Sequence, residues 1–269
     1  MIGQVRAVFN DTARGQRPVM RSDDALFDPS SPVWRVHGDV VSMMVGGVAA
    51  LLLQMLHPAA LAGIWDHSDF RRDMLGRLRR TARFIALTTY GDRAEAESAI
   101  TRVRRIHSAV AGALPDGTRY HAQDPSLLAW VHVTEAVCFL NAWQRYGAAP
   151  LDPAEADAYF ADFARIPLAL GADPVPRARA EAMALIERMR PELSVDVRTR
   201  TVSGLILNAR QKPAMRPVQH LLNQAAIGLL PDWARAMHGL RAPIVAQGVA
   251  GIGTDGLAKA LRWAFRTPG

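Results

Sequence analysis

From Val40 to Leu56 the chain reads VVSMMVGGVAALLLQML, with no charged side chain, and the other apolar segments are arranged before and after it. At 1.5 Å per residue this run spans about 26 Å, slightly short of a bilayer core. It contains Gln54 and stops at His57-Pro58. The same pattern belongs to the central helix of an all-α protein, apolar all round because it is buried on all sides. That is the reading adopted, with a membrane-inserted or membrane-associated helix as its rival.

The flanking segments have helical periodicity. Before the apolar run, Asp28-Pro29-Ser30-Ser31-Pro32 breaks the chain, and Ser31 with Pro32 suits the N-cap and first turn of a helix. Pro58 kinks or restarts the central helix because it lacks a backbone donor. Leu75, Leu78, Ala82, Ile85 and Thr89 recur on one face, predicting a helix over about 75–89. After Tyr90-Gly91-Asp92, the residues Ile100, Val103, His107 and Val110 mark a second helix from Ala94, closed by Gly112 and Pro115. Asp124-Pro125 opens a long apolar helix to Tyr146, and Asp152-Pro153 opens another to about Leu170. Further helices are predicted near 178–190, 195–208, 217–229, 231–238 and 257–265. No segment alternates apolar and polar residues long enough for a convincing strand. The expected architecture is all-α: residues 1–30 irregular, then one helical domain over 31–269. About 8–11 helices would pack in a globin-like way around the central apolar helix.

Composition narrows the function. The 269 residues are 49% hydrophobic, enough for a core without disulfides, and the one cysteine, Cys138, lies in apolar AVCFL as a small buried group. The net charge of +7 is almost all arginine, Lys212 and Lys259 being the only lysines. The arginines occur along the chain, often beside Asp or Glu, rather than interleaved with aromatics on one basic face, so no nucleic-acid partner is expected. The N-terminus has no apolar core followed by a small-residue cleavage site. The expected location is therefore cytoplasmic, with peripheral membrane contact kept open.

Nucleotide and hydrolase signatures do not carry weight here. Gly251-Ile252-Gly253 lacks a preceding strand, and Ser42 and Ser203 have no catalytic company. Among the eight histidines, His37, His220 and His238 read as surface or capping residues, and His67, between Asp66 and Asp69, as a hydrogen-bonded loop residue. His57 sits in LLLQMLHPAAL, either bonded to backbone or lining a cofactor pocket. His132 and Glu135 share a helical face, but the apolar helices hold too few carboxylates for a di-iron bundle. His107 lies on an apolar stripe. Arg77, Arg80 and Thr81, at i, i+3 and i+4, put two guanidinium groups and a hydroxyl on one face of the preceding helix. Buried arginines need anions. Haem offers two propionates and an iron that accepts an imidazole.

In this setting the chain resembles the rubber-oxygenase and MpaB-type oxygenase catalytic domain. The resemblance extends over about Pro32 to Leu240 and is carried by LLLQMLHPAALAGIWDHSDF, GRLRRTARFIALTTYG, VRRIHSAVAG and PDGTRYHAQDPSLLAWVHVTEAV, then MRPELSV and LLPDWARAMHGL. It implies an all-α protein that binds haem b and uses dioxygen on unsaturated, isoprenoid-like chains. It also implies that His107 is the proximal iron ligand and that Arg77, Arg80 and Thr81 match an Arg-x-x-Lys-Thr motif over the haem. The lysine of rubber-cleaving members is Arg80 here. A guanidinium stays protonated, so Arg80 would pair with a propionate or polarise oxygen instead of binding iron.

The expectation is thus a haem b-dependent oxygenase acting with dioxygen on a small apolar substrate. His107 would be the metal ligand, Arg77, Arg80 and Thr81 the catalytic group, and His57 a second pocket residue. A non-catalytic haem- or lipid-binding helical protein is the alternative.

Overall fold

The computed structural model describes residues 18–208, 216–241, 256 and 259. The chain begins its helices where Ser31 accepts a hydrogen bond from the Val33 backbone and Pro32 occupies the first turn, giving α1, Pro32–Gly38. Asp39 caps the next helix, α2, Val40–Gln54, through the Ser42 backbone N–H. The two helices meet at 88°, and no single described helix is long and apolar enough to cross a membrane. The uncharged run is a core helix: Val45, Ala49, Leu52 and Leu53 are buried.

The long partner of α2 is α6, Pro125–Tyr146, capped by Asp124, which accepts from the Ser126 and Leu127 backbones. The seam between them is the most extensive helix contact among the described residues. Gly46 makes the close approach possible. A Cβ there would lie 2.9 Å from both the Cys138 carbonyl oxygen and the Phe139 ring. At the end of the seam Gln54 Nε2 donates to the Val131 carbonyl at 2.9 Å, and Trp130 Nε1 donates to the Gln54 carbonyl at 3.3 Å.

Around this pair run α3, Pro58–His67; α4, Met74–Tyr90; α5, Arg93–His107; α7, Pro153–Phe163; α8, Arg165–Leu170; and α9, Arg179–Met189. A short 3₁₀ turn at Arg190–Glu192 precedes α10, Val197–Leu207; α11, Arg216–Leu229; and α12, Asp232–His238. The all-α expectation therefore holds for the body of the protein. Residues 18–31 carry no helix, yet Leu26 and Phe27 are buried in the same core.

Two local expectations are corrected, and a third lies outside the described residues. The helix expected to run to Gly112 ends at His107, and Ala111–Ala113 pairs antiparallel with Arg119–His121 as strands β1 and β2. Three-residue strands are too short to show alternation in sequence. The helix expected to reach Leu170 breaks at Ala164 into α7 and α8. The Gly251-x-Gly253 segment and the terminal helix expected over 257–265 lie outside the described residues, apart from Gly256 and Lys259.

His37 and His238 were expected as surface or capping residues; His238 is half-buried and meets a carbonyl in the last turn of α2, and only His37 is corrected. His238 bridges Ser203 Oγ and the Leu52 carbonyl. His37 lies in the core, 2.8 Å from Thr89 Oγ1 through Nδ1 and 3.3 Å from the Tyr159 hydroxyl through Nε2. The rings of Phe139, Tyr159 and Phe163 surround it at 5.4, 5.9 and 5.8 Å.

Burial pulls the His37 imidazole down to about 3 from an ordinary 6.5. A histidine that stays neutral when folded binds a proton more readily when unfolded, so its stabilisation is full above 6.5 and falls as the pH drops towards 3. Each pH unit in that window costs about 1.4 kcal/mol. Urea denaturation at pH 7 and pH 5 is expected to show this loss in the parent chain. It should be smaller in His37→Gln, which has no proton to take up.

Candidate functional site

The α4–α5 hairpin is built by two aspartate caps and one glycine. Asp73 accepts from the Gly76 backbone at 2.8 Å, and Asp92 accepts from Ala94 at 2.9 Å. Between the helices, a Cβ at Gly91 would approach the Leu87 carbonyl oxygen to 2.7 Å, so a larger residue would displace the turn. This turn is anchored to the body. Thr88 and Thr89 are buried, Tyr90 donates to the Trp34 carbonyl at 3.0 Å, and the Arg93 backbone donates to the Asp24 carbonyl.

The rest of α4 is less covered. Leu78, Ala82, Phe84, Ile85 and Leu87 of α4 are only half-buried, although they are apolar. Counting from Gly91, Arg77 lies about 21 Å back along α4 and His107 about 24 Å on along α5. Arg77 and Thr81 thus stand towards the start of α4 and His107 at the end of α5, the two ends away from the turn, and His67 at the end of α3 meets the Ala111 carbonyl just beyond α5. Ser68, after α3, reaches the start of α4, because Arg77 Nη1 donates to its hydroxyl at 3.0 Å.

The electrostatics of this end suit an anionic group next to a neutral imidazole. Burial, with Arg80 beside it, pulls the Arg77 guanidinium down to about 10, so it remains charged at neutral pH. Among the described residues no carboxylate lies within ion-pair distance of it. Arg80 and Thr81 are exposed, and Arg80 Nη1 lies 3.6 Å from Asp73 Oδ2. His107 is half-buried. Burial first, then His132 and His121, lowers its proton affinity and keeps it neutral, the form that binds metals.

His132 and His121 are the residues that sequence reasoning did not assemble. His121 comes back to His107 through the β1–β2 turn, whose strands carry no sequence signal, and its Nδ1 accepts from the Gln123 backbone. His132 was weighed only with Glu135, whose Oε2 lies 3.5 Å from Nδ1, and that nitrogen is sealed without a hydrogen bond. His132 borders an apolar cleft lined by Ala129, Val133, Phe160, Phe163 and Pro167. Its sequence signal is the helical phase that puts it on the face of α6 turned to α7 and α8.

His57 is placed differently. Its Nδ1 accepts from the Ala59 backbone at 3.2 Å as the N-cap of α3, and its Nε2 lies 3.6 Å from Glu192 Oε2. Burial lowers its proton affinity, opposed by Glu192 and Asp124. Both ring nitrogens are engaged within the fold, and its charged neighbours are Glu192 and Asp124, whereas those of His107 are His132 and His121.

The half-buried His107 imidazole, the half-buried Arg77 guanidinium without a carboxylate and the half-buried apolar residues of α4 are the groups that this part of the fold leaves partly open. A family model described as the catalytic domain of the ER-bound oxygenase mpaB/B′ and rubber oxygenase matches residues 34–263. The chain belongs to that family, and its general function is that of an oxygenase catalytic domain. No curated protein and no solved structure matches the chain.

Proposed function

We propose that the protein is a haem b-dependent oxygenase acting with dioxygen on a small apolar, unsaturated substrate. The observation that carries this reading is the open end of the α4–α5 hairpin, where Arg77 has no carboxylate and His107 is kept neutral. Haem b fits that donor set. His107 would hold its iron, Arg77 and Arg80 would meet its propionates, and the half-buried side of α4 would cover its apolar face. When bound, the haem supplies the redox chemistry that activates dioxygen.

The rest of the work belongs to side chains of this chain. Arg77 brings fixed positive charge into a site partly withdrawn from water, where an ion pair is stronger than at the surface. Ser68 fixes the direction of that guanidinium. Thr81, one turn along from Arg77, offers a hydroxyl on the same face. Phe160, Phe163 and Pro167 keep water from the cleft beside His132, which suits an apolar substrate. No three described His, Cys, Asp or Glu side chains converge to chelate an ion, in keeping with a single protein ligand to a prosthetic iron.

The test is the visible spectrum of protein purified from haem-supplemented cells. A Soret band at one haem per chain is the expected result, and its absence would overturn the cofactor assignment. Oxygenase action is then separated from simple haem carriage by mixing reduced protein with dioxygen and an unsaturated lipid. Oxidised lipid is expected, and a stable, inert complex would overturn catalysis.

A further inference from the structure

Although arginines occur along the whole chain, its net charge is concentrated in a small part of it. Residues 71–105 contain ten arginines and four acidic residues, a net +6 out of the chain's +7. The fold concentrates it further. The arginine-rich start of α4 and the arginine-rich end of α5 are the two ends away from the Gly91 turn, and both are tied to the end of α3, through Arg77–Ser68 and through His67 and the Ala111 carbonyl just after α5. Arg72, Arg79, Arg102, Arg104 and Arg105 are all exposed there, and none is ion-paired with a described carboxylate. Beside them Ile106 is 55% exposed, the second most exposed large hydrophobic side chain that is helical among the described residues after Val197. The loop that follows α3 completes the surface: the Arg71 guanidinium stacks 3.9 Å from the centre of the Trp65 ring.

We propose that this open end of the α4–α5 hairpin docks on an anionic lipid surface. Exposed guanidinium groups around an exposed isoleucine and half-buried apolar residues combine the two attractions of an interfacial helix, charge to headgroups and apolar contact below them. The guanidinium fork also suits phosphate. A nucleic-acid surface would use aromatic side chains standing among the cations, whereas Trp65 is already covered by Arg71 and Phe70 beside it is fully buried. The docking rests on charge and shape, not on the cofactor. Joined to the proposed function, it sets the proposed haem site against the bilayer, where apolar unsaturated substrates partition.

The experiment is co-sedimentation of the full, haem-free chain with phosphatidylcholine vesicles, with and without phosphatidylglycerol, at low and high salt. Binding is expected only to the anionic vesicles and is expected to be lost at high salt, as screening shortens the reach of surface charge. Each cation near such a surface strengthens binding several-fold, so Arg79→Gln/Arg102→Gln/Arg105→Gln should weaken it by roughly a hundredfold. The triple change Arg177→Gln/Arg188→Gln/Arg200→Gln removes the same charge from exposed positions elsewhere and should leave most of the binding in place. Circular dichroism checks that both variants fold. Equal loss in the two triple variants, equal binding to neutral vesicles, no binding at all, or displacement from anionic vesicles by a single-stranded RNA would each overturn the proposal. Because the chain is tested without haem, a missing Soret band would leave this result standing, and a failure to bind vesicles would leave the cofactor assignment standing.

Discussion

His107→Ala is expected to abolish stable haem retention, with affinity falling by more than about a hundredfold. Losing an outer partner of a metal ligand already costs roughly 10–100-fold, and this change removes the ligand itself. The effect should be local. His107 is half-buried at the last turn of α5, and no described hydrogen bond holds its ring, so its loss leaves little behind in the core. Thermal unfolding of haem-free His107→Ala should therefore track the parent closely. Added imidazole should restore part of the Soret band by entering the space left by the side chain. His220→Ala is the control, since His220 is exposed on α11. A Soret band in His107→Ala identical in position and intensity to the parent's would remove His107 as ligand.

Trp130→Ala is expected to have the largest effect on stability, about 3–5 kcal/mol. Trp130 is fully buried on α6, and its removal leaves a cavity at the α2–α6 seam. It also strips the Gln54 carbonyl of its indole donor at the C-terminal end of α2, where helix carbonyls lack partners within the helix. Urea denaturation of the haem-free chain would measure the loss. Trp130→Phe should recover much of it by filling the space, while still lacking the indole donor. A loss below 1 kcal/mol in Trp130→Ala would show that the seam collapses around the gap and that α2 and α6 are not a rigid core.

The helical architecture was legible because most of its boundaries are written in residue chemistry. Asp124-Pro125, Asp152-Pro153 and Ser31-Pro32 each combine a side-chain acceptor with a residue that has no donor to lose, and each opens a helix at the predicted place. The uncharged run at 40–56 was ambiguous between membrane and core, since periodicity is silent when every face is apolar. Its contact with α6 resolves this towards the core. The site was half legible. Arg77, Thr81 and His107 could be placed on helix faces by counting, and they stand towards the helix ends away from the Gly91 turn. The company of His107 could not be counted, because His121 returns through a two-stranded turn and His132 arrives from a helix 25 residues away in sequence. His37 was misplaced for a related reason. Its neighbours in the chain are mixed, and its burial comes from Thr89, Phe139 and Tyr159, none of them near in sequence.

The clamp on His37 has a mechanical consequence. Thr89 is held between α1 and α7 through that imidazole, so α4 is fixed at its C-terminal end and half-covered along the rest of its length. From Thr89 to Arg77 the helix measures about 18 Å. A tilt of roughly 10° about Thr89 carries Arg77 through about 3 Å, close to the thickness of one flat ring system, and needs no break in the ladder of a straight helix. The residues that anchor α4, His37, Thr89 and Tyr159, thus stand at the opposite end of the helix from Arg77.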